Sequence, residues 1–373
     1  MTWAWASRLL LLSGGLVASV LLGWLALSAT EVLLGIRDPE FRYENAIDMW
    51  IRDSEIGFVN RPNFEAFVWG SVAIRTDDRG FRTGVGNGDV DAGPVVVGVG
   101  DSVMWGTGVS AGDSLLGRLQ AQLRDQGPVE VIDAGVVGYS SLQELRLLEK
   151  SIVGLDPDVV LVNYCNNDLV PTEDPFDNVR AIHADYLEEL LSRKSFQNAE
   201  MRASAQQMIA LLRSNRRLWR RIDALAPATR ARMMELLIER PILEMVSLVR
   251  ASGGRLILLI IPPRAKDAEY ARSARRLSQR VRATGGEVVD LTRHLVFEPP
   301  PARVQQPPWL RWVPQLERIL RWRGIRTKHQ QRDFVDGVHP SIHGNDVIAT
   351  QIALYLRSAE WWRADLRSHR EAQ

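Results

Sequence analysis

The chain has 373 residues, 46% apolar and 24% charged, with a formal net charge of +1. That size and balance fit one large or two modest globular domains, and they exclude the strong basicity of a nucleic-acid-binding protein. The single cysteine, Cys165, rules out an intramolecular disulfide.

Leu9 to Thr30 carries no charge, and a membrane-spanning helix needs about 20 such residues. Arg8 precedes the stretch, and Glu31, Arg37, Asp38 and Glu40 follow it. The positive-inside tendency then keeps Met1 in the cytoplasm and puts the bulk of the chain outside. Residues 1–30 are therefore expected to form a single-pass membrane anchor, with the globular part extracytoplasmic. The alternative is a signal peptide cleaved near the small residues Ala26 and Ser28, which would secrete the protein.

Residues 31–93 form the second unit. Short alternating runs flank Gly70 between Ile51 and Thr83, and Asp77-Asp78-Arg79-Gly80 reads as a turn, so a small β element is expected. Gly86 to Pro94 has the composition of a linker.

From residue 94 to 373 apolar β-branched runs alternate with helical patterns. The runs are Val95 to Val99, Val129 to Ile132, Val159 to Val162, Leu256 to Ile261 and Glu287 to Leu291. Helical periodicity covers Ser114 to Gln126, Leu142 to Ile152, Ala268 to Thr284 and Asn345 to Arg357. Such alternation predicts an α/β fold, a parallel sheet covered on both faces. Two stretches are too long for plain connections, 170–254 and 293–332. The first contains LLRSNRRLWRRI and the second PPWLRWVPQLERILRWRG. Each reads either as a solvated helical face with locally packed Trp or as a lid or membrane-interface surface.

In an open parallel sheet ligands bind beyond the carboxyl ends of the strands. The first run delivers Gly100-Asp101-Ser102 there, the second Gly135 and Gly138, and the third Asn166, Asn167 and Asp168. Asp336 and His339 stand just ahead of the last helix. Singly, each could be a cap, a turn residue or a surface histidine. Together they offer a hydroxyl nucleophile, backbone and amide donors, an imidazole base and a carboxylate to orient it, which is what acyl transfer requires.

GDS, DAGVVG, CNND and DGVHP, in this order and on these elements, resemble the four sequence blocks of the SGNH (GDSL-type) hydrolases. The upstream DSEIGFVNRPN…DDRGFR resembles the short β segment ahead of the domain in exported bacterial members. The resemblance implies a flavodoxin-like three-layer fold with a five-stranded sheet in the order 2-1-3-4-5. By motif position it makes Ser102 the nucleophile, His339 the base and Asp336 its partner, with the Ser102 and Gly138 amides and the Asn167 side chain as oxyanion donors. It implies no metal and no organic cofactor.

Three residues depart from the family pattern: Val103 follows the nucleophile, Asp133 stands where many members carry Asn, and Cys165 replaces a common Gly. The expected function is a serine esterase acting on an ester-bearing small molecule, glycan or lipid, such as an O-acyl or O-acetyl group of an envelope carbohydrate. An O-acetyltransferase acting on an envelope polysaccharide is the alternative with the same residues. Of another class are a catalytically inactive binding module and a dinucleotide-binding domain. The latter would use Gly98-Val99-Gly100 and Asp133, but Val103 occupies the place of its third glycine.

Overall fold

The computed structural model describes residues 48–68, 72–85, 93–164, 175–214, 225–262, 268–295 and 339–371, with single positions at 19, 23 and 222. Two antiparallel hairpins come first. Strand β1 (Trp50–Asp53) pairs with β2 (Gly57–Asn60), and β3 (Glu65–Val68) pairs with β4 (Val72–Arg75).

Five further strands make one sheet: β5 (Val95–Val99), β6 (Glu130–Asp133), β7 (Val159–Tyr164), β8 (Arg255–Ile260) and β9 (Glu287–Asp290). They lie in the order β6-β5-β7-β8-β9 and every neighbouring pair is parallel. Counted from β5, that is the expected 2-1-3-4-5.

The apolar runs are continuous rather than alternating because both faces are covered. Val97, Val99, Val160, Val162, Leu258 and Ile260 point into one core, while Val96, Val159, Leu161, Ile257 and Leu259 point into another. Successive residues of each strand thus feed opposite layers, as the pleat dictates. The second core is capped by α2 (Leu115–Leu123) and α9 (Ile342–Ser358). On the first face lie α3 (Ser141–Leu147), α7 (Arg240–Ala251) and α8 (Ala268–Thr284). Helices α4 (Val179–Ser192), α5 (Ala199–Ser214) and α6 (Pro227–Met234) lie between β7 and α7 along the chain.

Three expected outlines change, and the simplest is at the carboxyl end, where α9 begins at Ile342, three residues ahead of Asn345, and a further helix, Glu360–Glu371, follows it. The pattern over Leu142 to Ile152 begins as α3 but closes as a π turn, Leu148–Ile152. The described part of 170–254 is largely helical, as expected, but it includes the crossover helix α7, which packs against α3, α8 and β8. A π turn, Glu235–Glu239, joins α6 to α7 without a break. No turn residue therefore marks where insertion ends and crossover begins.

The upstream hairpins share the first core. Met49, Trp50, Ile56, Phe58, Ile74 and Phe81 are buried within it. Polar bonds fasten the same segment to the loop after β6: Asn60 Nδ2 donates to Gly135 O at 3.1 Å, and Tyr139 Oη donates to Phe58 O at 2.5 Å.

Apart from two single positions, the expected anchor at Leu9 to Thr30 lies outside the described residues, and so does most of 293–332. Among the described residues no helix is long and apolar enough to cross a membrane.

Candidate active site

Strand β5 ends at Val99, and α1 (Ser102–Trp105) begins three residues later. The turn between them is tight. A Cβ on Gly100 would come within 2.0 Å of Asn163 Oδ1 and 2.7 Å of Met104 Cβ, so only glycine lets β5 run into the helix here.

Asp101 caps α1, its Oδ1 accepting from Val103 N at 2.9 Å. The same oxygen accepts from Asn163 Nδ2 at 3.0 Å. Asn163 is a buried polar residue near the end of β7, and it fixes the cap that presents Ser102. Asp101 is thus a helix cap, one of the roles its position suggested. The alternative of a dinucleotide-binding domain needs Gly98-Val99-Gly100 to follow the first strand, and it loses that basis. Gly98 lies inside β5, packed against Leu116 and Met104.

Ser102 is 8% exposed, and its Oγ lies 2.9 Å from Nε2 of His339, 237 positions further along the chain. His339 sits just before Ser341, the N-cap of α9, whose hydroxyl accepts from Gly344 N at 3.0 Å. Helix α9 is held to α2 by apolar packing, with Leu119, Leu123, Ile348 and Ile352 fully buried. Each such side chain contributes about 1.5–3 kcal/mol relative to exposure. Asn345 Nδ2 also donates to Asp113 O at 3.1 Å, tying the start of α9 to the loop before α2. The histidine is thereby carried on a firmly seated element.

Gly138 lies in the loop after β6. It is buried, with φ at +85°, a conformation that favours glycine. The loop keeps its parallel pairing beyond the strand, Ala134 N donating to Gly98 O and Val136 N to Gly100 O, each at 2.9 Å. That pairing brings it alongside the chain entering Ser102. Asp336 and Asn167, with Cys165, Asn166 and Asp168, lie outside the described residues.

Asp133 is fully buried. Its Oδ1 accepts from Gly135 N at 3.0 Å, while its Oδ2 has no hydrogen-bond partner among the described residues. Burial pushes its carboxyl up to about 7, and the Arg82 guanidinium and the Gly135 N–H oppose that rise. Sequence reasoning missed both Asn163 and Arg82. The first left a signal, an amide inside an apolar strand. The second closes the DDRGFR block, where the resemblance marks only a β segment. Among the described residues no three His, Cys, Asp or Glu side chains converge as metal ligands.

The family model for GDSL-like lipases and acylhydrolases matches residues 99–347, from the last residue of β5 into α9. The chain belongs to this family. As a GDSL-like hydrolase it is an ester-hydrolysing enzyme. No curated protein matches it. Similar solved structures include that of TesA, at 15% identity over 70% of this chain and 98% of the other, with a TM-score of 0.40. The psychrotrophic esterase EstA from Pseudoalteromonas sp. is 12% identical over 70% of this chain and 96% of its own, with a TM-score of 0.38. The acetyl xylan esterase AlAXEase is 12% identical over 70% and 98%, also at 0.38.

Proposed function

We propose that this GDSL-like hydrolase is a serine esterase that removes O-acyl groups, acetyl above all, from an envelope carbohydrate or lipid through an acyl-enzyme. The observation that carries the reading is the 2.9 Å approach of Ser102 Oγ to His339 Nε2 between residues 237 positions apart. The neutral imidazole takes the hydroxyl proton as Oγ attacks the ester carbonyl. The oxyanion is held by the Ser102 and Gly138 amides and the Asn167 side chain, and Asp336 orients His339. His339 then gives its proton to the departing alkoxide. Water, deprotonated by the same ring, adds to the acyl carbon; the acyl–Oγ bond then breaks, Ser102 Oγ takes the proton back from the ring, and the acid leaves.

A fluorophosphonate probe on the full chain should label Ser102 alone, located by peptide mass mapping, and labelling of any other residue would remove the assignment. Acetyl release from a model ester, measured with and without an acetyl-accepting oligosaccharide, tests hydrolysis against transfer. Free acetate should dominate in both arms. Acetylated acceptor as the main product would make the enzyme an O-acetyltransferase.

The uncharged stretch from Leu9 to Thr30 behind Arg8 supports a site outside the cytoplasm, tethered by one helix. A reporter active only outside the cytoplasm, fused after Gln373, should be active. A silent reporter on a well-expressed fusion would sink this placement.

A further inference from the structure

Arg82 is a buried cation that the proposed chemistry does not use. It follows the β3–β4 hairpin and is 3% exposed. Its guanidinium points at a backbone target. Nη1 contacts Trp105 O and lies 3.2 Å from Gly106 O, and Nη2 donates to Val109 O at 2.7 Å. The group also stands over the Trp105 ring, 5.2 Å from its centroid.

Trp105 and Gly106 are the last residue and the C-cap of α1, the single turn that begins with Ser102. A turn this short has almost no cooperative stability of its own, so bonds from outside set its position. Asp101 supplies one at the start. Arg82 supplies another, with positive charge at the carbonyl end where a helix dipole favours it.

The backbone of Arg82 reaches the opposite element. Its N–H donates to Asp133 O at 2.9 Å, an isolated antiparallel bridge to the end of β6. Asp133 holds Gly135 N through its carboxylate. Gly135 in turn lies so close to α1 that a Cβ there would come within 2.6 Å of Trp105 N. One residue therefore ties the helix of Ser102 to the loop that leads to Gly138.

We propose that Arg82 is a positioning residue for ester cleavage: by binding the carbonyls of Trp105, Gly106 and Val109 it holds Ser102 in register with the loop of Gly138. The upstream β segment thereby becomes a working part of the active site. The inference rests on the assignment of Ser102 as nucleophile.

The test uses the full chain, p-nitrophenyl acetate as substrate, and Arg82→Lys and Arg82→Met. Active sites are counted by fluorophosphonate titration, and fold is checked by near-UV circular dichroism. Lysine keeps the charge but presents it as a compact ammonium, without the planar fork that spans several carbonyls. Misplacing a reacting group by about 1 Å costs up to roughly 100-fold. Both variants should remain folded and lose about 10- to 100-fold in kcat per titrated site, with KM within about threefold and with slowed labelling of Ser102. Lysine should restore at most a small part of the loss.

A folded Arg82→Met enzyme whose kcat per titrated site stays within about threefold of wild type overturns the proposal. A loss confined to KM does the same. So does failure of both variants to fold, which would make Arg82 a stability residue only. Wild-type enzyme that is not labelled at Ser102 counts instead against the nucleophile assignment, so the two failures are distinguishable.

Discussion

Ser102→Ala is expected to lower kcat for ester cleavage by roughly 10⁴–10⁶-fold while leaving the fold intact, because members of a nucleophile–base unit act together. The fold should survive for a local reason. Ser102 is the first residue of α1, whereas the capping oxygen belongs to Asp101, so alanine removes a hydroxyl without removing a cap. His339→Ala should cost a similar factor. The imidazole is half-buried ahead of α9, and the bonds that seat that helix come from Ser341 and Asn345, not from the ring. The double variant should be little worse than either single one, since a hydroxyl without a base and a base without a hydroxyl are equally idle. Pre-steady-state bursts with p-nitrophenyl acetate measure all three. A Ser102→Ala enzyme that still gives a burst would end the acyl-enzyme mechanism, and strict additivity would mean that the 2.9 Å contact is not the working pair.

Much of the sheet was legible because its signal is local. Five runs of Val, Ile and Leu became five strands, with β5 at its expected residues and the others within two positions at either end. Helix α8 also matched its expected ends, Ala268 and Thr284. The place of His339 follows from a similar local signal, since Ser341 caps the helix that begins just after it.

What escaped was tertiary. Arg82 acts on carbonyls 23 to 27 positions away, and backbone acceptors have no residue type to betray them. Asn163 serves a carboxylate 62 positions back. The upstream segment read as a small β element with a linker behind it, yet Ile56, Phe58 and Phe81 are buried in the sheet's own core. Alternation predicts a hairpin but not the surface it covers.

Asp133 supplies the other large expected effect, on stability rather than rate. In the folded protein its carboxyl is pushed up to about 7 by burial, against an ordinary value of 3.8. Between those two values the folded chain holds a proton that the unfolded chain has released. Stability from this group is therefore complete below about pH 4 and is lost as pH rises from there through about 7, by roughly 1.4 kcal/mol for each pH unit crossed. The physical cause is the fully buried Oδ2, which no donor among the described residues reaches, while the Arg82 guanidinium, bonded to backbone carbonyls, attracts it only through space. An Asp133→Asn substitution replaces the carboxyl by an amide that is neutral at every pH and whose oxygen can still accept from Gly135 N. The variant should thus gain on wild type as pH rises, with the two melting temperatures closest at about pH 4 and the variant ahead by several degrees at about pH 8. Comparing the pair at each pH cancels every other titrating group. A difference that stays constant across that range would mean that Asp133 is already ionised throughout it. A difference that reverses would mean that the Arg82–Asp133 attraction outweighs the cost of burial, and that the carboxyl at this position stabilises the enzyme.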